Sequence, residues 1–371
     1  MRGKKALVRF GVAALAVGIV IALAGCSSGG TTKGTTGGTA KKLKIALLLP
    51  ETKTARYETQ DRPLFEKKVK ALDPNIEILY SNANQDAAQQ QSQADAALTN
   101  GANVLVLDPV DSASAASIVA KATAKKVPVI SYDRLILKAN VDYYVSFDNE
   151  KVGVLQGQAL LDKLTADGKA GKAVVFINGS PTDNNATLFK KGAHSILDGK
   201  VTIGAEYDTP DWSPDQAQTE MDQAITKLGK DGFVGVLAAN DGTGGGAIAA
   251  MKGAGIDPKT RPVTGQDAEL AGIQRILLGE QYMTIYKAIK LEAEATAELA
   301  VSLAQGKAVP SSMTLTKVNN GTKDVPSVLL KPVAVTKDTI KSTVVADGFW
   351  TTAQILNTPE LKAAGAAVGL Q

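Results

Sequence analysis

Short apolar runs alternate with longer amphipathic segments from residue 44 onward, and this alternation limits the possible fold more than any other feature of the chain. The short runs are rich in Val, Ile and Leu, as expected of strands that are buried on both faces of a parallel sheet. They cover residues 44–49, 76–80, 104–107, 127–131, 173–177, 201–207, 234–238, 262–264 and 283–286.

The segments between these runs have helical periodicity. They cover residues 59–72, 86–100, 113–125, 149–164, 185–198, 214–228, 244–253, 270–278 and 287–304. Strand and helix in regular alternation predict a doubly wound α/β fold. The series pauses at 135–149, which we interpret as the first crossing between two lobes. Two lobes are expected because about 330 residues exceed one typical core.

The first 26 residues predict export and anchoring. Four basic residues precede the uncharged run 10–25, which is shorter than the roughly 18 residues of a spanning helix. The run ends in Leu23-Ala24-Gly25-Cys26, which resembles the lipobox of bacterial lipoproteins. We therefore predict a signal peptide over 1–25, a diacylglyceryl anchor on Cys26 at the extracytoplasmic side of the cell membrane, and a flexible linker over 26–42. An ordinary signal peptide or a buried helix with a chance cysteine is the alternative.

Charge and cysteine content exclude several classes of function. Loss of residues 1–25 would remove Arg2, Lys4, Lys5 and Arg9 and reduce the 41 basic residues to 37, equal to the 37 acidic ones. A neutral mature chain argues against a nucleic-acid partner, which calls for a basic face. Cys26 is the single cysteine, so its lipidation would leave no thiol for disulfides, catalysis or metal binding.

Polar and aromatic side chains follow the predicted strands, where ligands bind in open parallel sheets. They are Lys53, Arg56, Tyr57, Tyr132, Asp133, Arg134, Ser180 to Asn185, Asp211, Trp212, Asn240, Asp241, Gln266, Asp267 and Lys287. Sugar hydroxyls both donate and accept hydrogen bonds, and charged partners satisfy them with the stronger class of bond. The apolar ring faces of a sugar pack on flat aromatics, for which Tyr57 and Trp212 are candidates.

The sequence gives less support to an enzyme or to a cofactor-binding protein. His194 is the single histidine, lies inside a helical segment, and has no Gly-x-Ser-x-Gly nucleophile motif to serve. A hydrolase that uses Asp133 and Asp267 as its two carboxylates is compatible with the residue types. However, the basic residues associated with both suit ionised carboxylates rather than the protonated acid that a hydrolase needs. Gly242 to Ala247 imitates a dinucleotide fingerprint, but it lies deep in the chain and no acidic residue follows at the expected spacing, so close packing of a helix on its strand is the favoured explanation. We predict no cofactor and no metal.

Several longer motifs resemble a known family. They are YDR at 132–134, SFDNEKVG at 146–153, GSPTDNNA at 179–186, Asn240-Asp241, GQDAELAGI at 265–273, MTIYK at 283–287 and DVPS at 324–327. Over residues 44–349 the chain resembles the D-xylose-binding proteins of ABC transporters, within the ribose/galactose/xylose group of type I periplasmic binding proteins. The resemblance implies two Rossmann-like lobes joined by a three-segment hinge.

The resemblance also implies which side chains contact the sugar. These are Arg56, Asp133, Arg134, Asn185, Trp212, Asn240, Asp267 and Lys287, with Tyr57 where the family usually has tryptophan. The loop 51–55 is one residue longer, Asp211 replaces a glycine, and Ala288 replaces a proline. These departures affect the identity of the sugar, which could be another pentose or glucose.

We therefore hypothesise that the chain is a monomeric solute-binding lipoprotein and not an enzyme. It would capture a monosaccharide, with D-xylose as the first candidate, and deliver it to an ABC permease. The expected N-terminal lobe is 43–145 plus 287–315, and the C-terminal lobe is 146–286 plus 316–348, with a tail at 349–371. A sensory role with a chemoreceptor or kinase stays open. A LacI-type repressor would share the lobes, but the lipobox and the lack of a helix-turn-helix argue against it.

Overall fold

A computed structural model describes residues 42–371. The predicted signal peptide, the anchor at Cys26 and nearly all of the predicted linker lie outside these residues. The strands are β1 Lys44–Leu49, β2 Glu77–Asn82, β3 Val104–Leu107, β4 Val129–Tyr132, β5 Tyr143–Phe147, β6 Ala173–Asn178, β7 Thr202–Asp208, β8 Val236–Ala238, β9 Met283–Tyr286, β10 Thr316–Asn319, β11 Asp324–Leu330 and β12 Val333–Thr336.

The helices match most of the predicted amphipathic segments. They are α1 Arg62–Leu72, α2 Ala87–Thr99, α3 Ala116–Ala124, α4 Asn149–Ala166, α5 Asn184–Leu197, α6 Pro214–Leu228, α7 Asp241–Gly253, α8 Leu270–Leu278, α9 Ile289–Ala304, α10 Thr352–Ile355 and α11 Pro359–Ala366. Among residues 42–371, no helix is both long and apolar enough to cross a bilayer.

Two parallel sheets organise the fold. The first has seven strands in the order β10-β11-β5-β4-β3-β1-β2, in which only β10 runs antiparallel to its neighbour. The second has the order β7-β6-β8 and is extended by a single bridge between Val236 and Val263. Strands β9 and β12 form a separate antiparallel pair. The predicted doubly wound α/β fold is confirmed.

Strand β1 shows why these runs are continuously apolar. Ala46 and Leu48 pack into the core on one face of the first sheet. Ile45, Leu47 and Leu49 pack into the core on the other face. Because successive side chains of a strand point to opposite faces, a strand covered by helices on both sides buries every residue.

The segment 135–149, predicted as the first lobe crossing, contains a strand before the chain leaves the first sheet. Strand β5 lies inside the segment 135–149, where the sequence pattern predicted a pause, and it pairs with β4 in the first sheet. One of its two pairing partners, β11, is far away in the chain, so local periodicity alone did not reveal it.

The expected lobe for residues 316–330 was wrong. Strands β10 and β11 belong to the first sheet, where Ser327 pairs with Tyr144 and Leu330 pairs with Phe147. Only β12 pairs away from this sheet, with β9. The chain thus leaves the first sheet after β5, returns to it after β9 and leaves it again after β11.

The last segments of the chain pack against different lobes. Helix α9 places Ala293, Ala297 and Ala300 in the core of the first sheet. The tail, which the sequence left unplaced, forms α10 and α11 and packs Ile355 and Leu361 into a core shared with α8.

Candidate functional site

One cavity lies between the loops that follow the strands of both sheets. It is lined by all nine side chains that the family resemblance implies as sugar contacts, by the strand-end residues Asp183 and Gln266, and also by Thr54 and Phe189. Each of the nine is at most 4% exposed. Most of the lining side chains are charged or polar, and the tyrosine, the phenylalanine and the tryptophan add flat aromatic faces. The geometry therefore suits one small polar ligand.

Arg56 and Lys287 bring positive charge to two cavity carboxylates. The Arg56 Nη1 atom donates to Asp133 Oδ1 at 3.3 Å and lies 3.8 Å from Asp267 Oδ1. Lys287 Nζ lies 2.9 Å from Asp267 Oδ1. The other side of the Arg56 guanidinium is held by Asp61 and by Glu292, whose Oε2 accepts at 2.9 Å. The guanidinium is therefore fixed before any ligand arrives.

Asp133 is ionised in this setting. Burial alone would raise the pKa of its carboxyl, but the surrounding cations outweigh burial and lower the pKa to about 2. These cations are Arg56, Lys287 and Arg134. Its backbone has a φ of 54°, and its carbonyl oxygen accepts from Ser146 Oγ at 2.6 Å and Asn185 Nδ2 at 2.9 Å. An ionised carboxylate accepts ligand hydroxyls and is unsuited to donate a proton as a general acid.

Tyr57 is held by hydrogen bonds as well as by packing. Its hydroxyl donates to Asp133 Oδ2 at 2.9 Å and accepts from Arg134 Nη2 at 3.2 Å. Its ring lies 5.1 Å from the Arg56 guanidinium carbon. The hydroxyl, which tryptophan would lack, therefore occupies one acceptor site on Asp133.

Arg134 joins the two lobes through Asp183. The Arg134 Nε atom lies 3.0 Å from Asp183 Oδ2. That carboxylate also accepts from Trp212 Nε1 at 3.1 Å, and its Oδ1 caps helix α5 by accepting from Asn185 N at 2.8 Å. Burial raises the pKa of the Asp183 carboxyl, yet both of its oxygens already have partners.

Trp212 needs the glycine that lies beneath it. A Cβ atom at Gly179 would lie 2.0 Å from Trp212 Cη2, so only glycine allows this ring position. Phe189 packs against Trp212 edge-on with ring centroids 6.3 Å apart. The backbone at Trp212 has a φ of 53°, which turns the ring toward the cavity side of the strand end.

Two buried acceptors that line the cavity from the second lobe have no hydrogen-bond donor in the described part of the chain. They are Gln266 Oε1 and Asp267 Oδ1; the latter faces Lys287 at ion-pair distance but without well-directed hydrogen-bond geometry. Asn240 caps helix α7 by accepting from Thr243 N at 2.8 Å. Unsatisfied buried acceptors are costly, so this wall favours a ligand that brings donors.

Some strand-end residues lie elsewhere. Lys53 and Asp211 are exposed. Asp241 is buried beneath α8, where burial raises its pKa to about 7, and its Oδ1 accepts from Gln281 Nε2 at 2.6 Å. Conversely, Phe189 was not identified from the sequence, although it lies four residues after Asn185 on the same helix and could have been found by that spacing.

The remaining motifs do not join the cavity. His194 lies on α5 and contacts Asp198 and Glu206. A Cβ at Gly246 would lie 2.2 Å from Pro214 O, so the glycine-rich segment serves close packing of α7 on α6. Within residues 42–371, no group of His, Cys, Asp or Glu side chains has the arrangement of a metal site.

Comparison with known proteins agrees with the fold. The model of the periplasmic binding protein domain matches residues 45–308. The D-xylose-binding periplasmic protein of Escherichia coli is 39% identical over 84% of this chain and 92% of its own length. A multiple sugar-binding periplasmic receptor of Rhizobium radiobacter is 34% identical over 85% and 93%. A solute-binding protein from Clostridium phytofermentans, solved with β-D-glucose, is 30% identical with a TM-score of 0.77 and covers 84% of this chain and 99% of its own.

Proposed function

The chain belongs to the periplasmic binding protein family, and from that premise we propose that it captures one monosaccharide between its lobes and delivers it to an ABC permease. D-xylose is the first candidate. The protein acts by binding and release, without chemical change of the sugar.

The observation that carries this proposal is the composition of the closed cavity. Charged donors and acceptors alternate around it: Arg56 and Lys287 face Asp133 and Asp267 at 2.9 to 4.0 Å. Trp212 adds a flat apolar surface. A sugar ring has the complementary pattern, with hydroxyls at its edge and C–H groups on its faces.

Closure of the lobes supplies the mechanism. Asp133 and Arg56 come from the first lobe, whereas Asn185, Trp212 and Asp267 come from loops of the second. A sugar that bonds to both sets binds the closed form more tightly and shifts the population toward it. A shift from 1:99 to 99:1 needs about 5.5 kcal/mol of differential binding. A few charge-assisted hydrogen bonds at about 1.5–3 kcal/mol each can supply this.

The choice of D-xylose rests on the relatives and on Tyr57. The E. coli relative is described as D-xylose-binding, while the Rhizobium relative is described as binding multiple sugars and the Clostridium structure holds glucose. Tyr57 argues for a ligand with few hydroxyls near Asp133, because its own hydroxyl already occupies Asp133 Oδ2. A hexose needs room for one further hydroxymethyl group.

A panel of monosaccharides tests the function. We expect D-xylose to raise the melting temperature most, since a ligand that binds only the folded state stabilises it by RT ln(1 + [L]/Kd). D-glucose, D-ribose, L-arabinose and D-galactose complete the panel. A larger shift with glucose would change the assigned sugar, and no shift with any monosaccharide would refute the proposed function.

We further propose that a lipid on Cys26 holds the protein at the membrane beside the permease. The support is the sequence Leu23-Ala24-Gly25-Cys26 after an uncharged run. Replacement of Cys26 by serine is expected to move the protein from the membrane fraction to the soluble fraction, and an unchanged distribution would contradict the anchor.

A further inference from the structure

Two loops meet across the lobes outside the ligand cavity. The first follows β3 and includes Val110 and Ser112; the second includes Thr182 and leads into Asn184, the first residue of α5. Ser112 N donates to Thr182 O at 3.0 Å, and Asn184 N donates to Ser112 Oγ at 3.1 Å. Thr182 Oγ1 donates to Val110 O at 3.4 Å. We call these four residues the interlobe latch.

The latch is separate from the ligand site. None of its four residues lines the cavity. Ser112 is nevertheless 2% exposed, and its carbonyl oxygen accepts from Leu137 N at 2.7 Å, which ties it to the first lobe. Contacts made only when the lobes are closed, and made without the ligand, stabilise the closed state equally for every ligand.

The Ser112 hydroxyl has a specific role on the second lobe. Asn184 is the first residue of α5, and the first N–H groups of a helix have no partner within the helix. Ser112 supplies that partner from the opposite lobe. When the lobes separate, this N–H group must turn to water, so the bond is gained only on closing.

We propose that Ser112 is a closure residue: its hydrogen bond to Asn184 N shifts the open–closed equilibrium and so sets affinity without selecting among sugars. This proposal rests on the proposed function. The role of Ser112 differs from that of the cavity residues, whose contacts distinguish one sugar from another.

Two variants remove the same hydrogen bond from opposite sides. Ser112→Ala deletes the acceptor. Asn184→Pro deletes the donor, and proline is tolerated at the first position of a helix. The preceding Asp183 has φ −101° and ψ 120°, which a following proline permits. Each variant is expected to raise the Kd about two- to tenfold, the value of one hydrogen bond.

The test is calorimetry on both single variants and on the double variant, with the two sugars that give the largest thermal shifts. We expect the same factor for both sugars and no further loss in the double variant, because the second change finds the bond already absent. The matched control is Ser114→Ala, at an exposed serine on the same loop and outside the latch. This variant should bind as the wild type does.

Three results would overturn the latch: an unchanged Kd for Ser112→Ala, a factor that differs between the two sugars, or losses that multiply in the double variant. Equal melting temperatures of the unliganded variants show that they fold, and if one variant does not fold, the other still gives the required Kd. If the wild type itself binds no sugar, the proposed function fails first and the latch fails with it, a pattern distinct from failure of the latch alone.

Discussion

Asp267 illustrates how single side chains in the cavity depend on one another. It lies 2.9 Å from Lys287 Nζ and 3.8 Å from Arg56 Nη1. We predict that Asp267→Ala weakens sugar binding more than tenfold, because the change removes a charged acceptor worth about 1.5–3 kcal/mol and leaves Lys287 buried without its nearest partner.

Calorimetric titration with the preferred sugar measures this effect. Asp222→Ala is the control, because Asp222 is exposed on α6. This variant should bind the sugar as the wild type does. If the Asp267→Ala protein bound the sugar with wild-type affinity, the assignment of Asp267 to the binding site would be wrong.

Gly179 is a second residue whose effect follows from geometry. An alanine methyl would collide with the Trp212 ring, so the ring must leave its position. We predict that Gly179→Ala lowers affinity at least threefold, in line with loss of an aromatic contact of about 0.5–1.5 kcal/mol, and that the effect appears in the fluorescence of Trp212 in a Trp350→Phe background.

Gly253→Ala is the matched control, because a Cβ at Gly253 has no heavy atom within 4 Å. If Gly179→Ala binds sugar like the wild type and leaves the fluorescence unchanged, Trp212 does not depend on Gly179 and the described ring position is wrong.

At this scale the sequence predicted which residues come near the cavity, but not how they pair. The position of Asp133 or Asn240 after a strand is a local property, so the pattern reveals it. The bond from Tyr57 to Asp133, 76 residues apart, depends on side-chain distances that no local pattern contains. The same holds for Asp183, whose links to Arg134 and Trp212 form only in the folded chain.

At the scale of elements, strands with helices on both sides were predicted well and the sheet edge was not. Strand β1 is apolar throughout because both of its faces are covered. Strands β10 and β11 carry exposed or half-buried residues at most positions, so their sequence lacks that signal. Their place beside β5 is fixed by long-range pairing, which explains the wrong lobe for residues 316–330.

His194 connects α5 to β7 and makes stability depend on pH. Partial burial lowers the pKa of His194, but hydrogen bonds to Glu206 and Asp198 outweigh it and raise the pKa above the ordinary 6.5. A raised folded-state pKa gives stability that is complete below the unfolded pKa and is lost as pH rises through the folded value. Lys190, which also contacts Glu206 at 3.1 Å, stays charged throughout this range.

We therefore predict that the difference in free energy of unfolding between the wild type and His194→Gln is largest near pH 6 and shrinks toward pH 9. Urea denaturation across this range measures it, and comparison with the variant cancels the effects of other buried groups such as Asp241. A difference that is constant or grows with pH would mean that His194 is not charged in the folded protein.

At the scale of the whole molecule, the two sheets turn their loop-bearing ends toward one cavity, and the chain crosses between lobes at three places. Three crossings restrain the lobes to open and close rather than slide apart. The buried state of all nine cavity side chains means that a ligand enters only when the lobes separate. In the proposed function, sugar binding and lobe closure are therefore coupled equilibria.

Small-angle X-ray scattering with and without the preferred sugar tests this claim most directly. We predict a smaller radius of gyration with D-xylose at about three times the wild-type Kd than in the free protein, and a much smaller decrease for Asp267→Ala at the same sugar concentration, because that variant is then mostly unbound. A protein that binds D-xylose in calorimetry but keeps an unchanged radius of gyration would contradict capture by lobe closure.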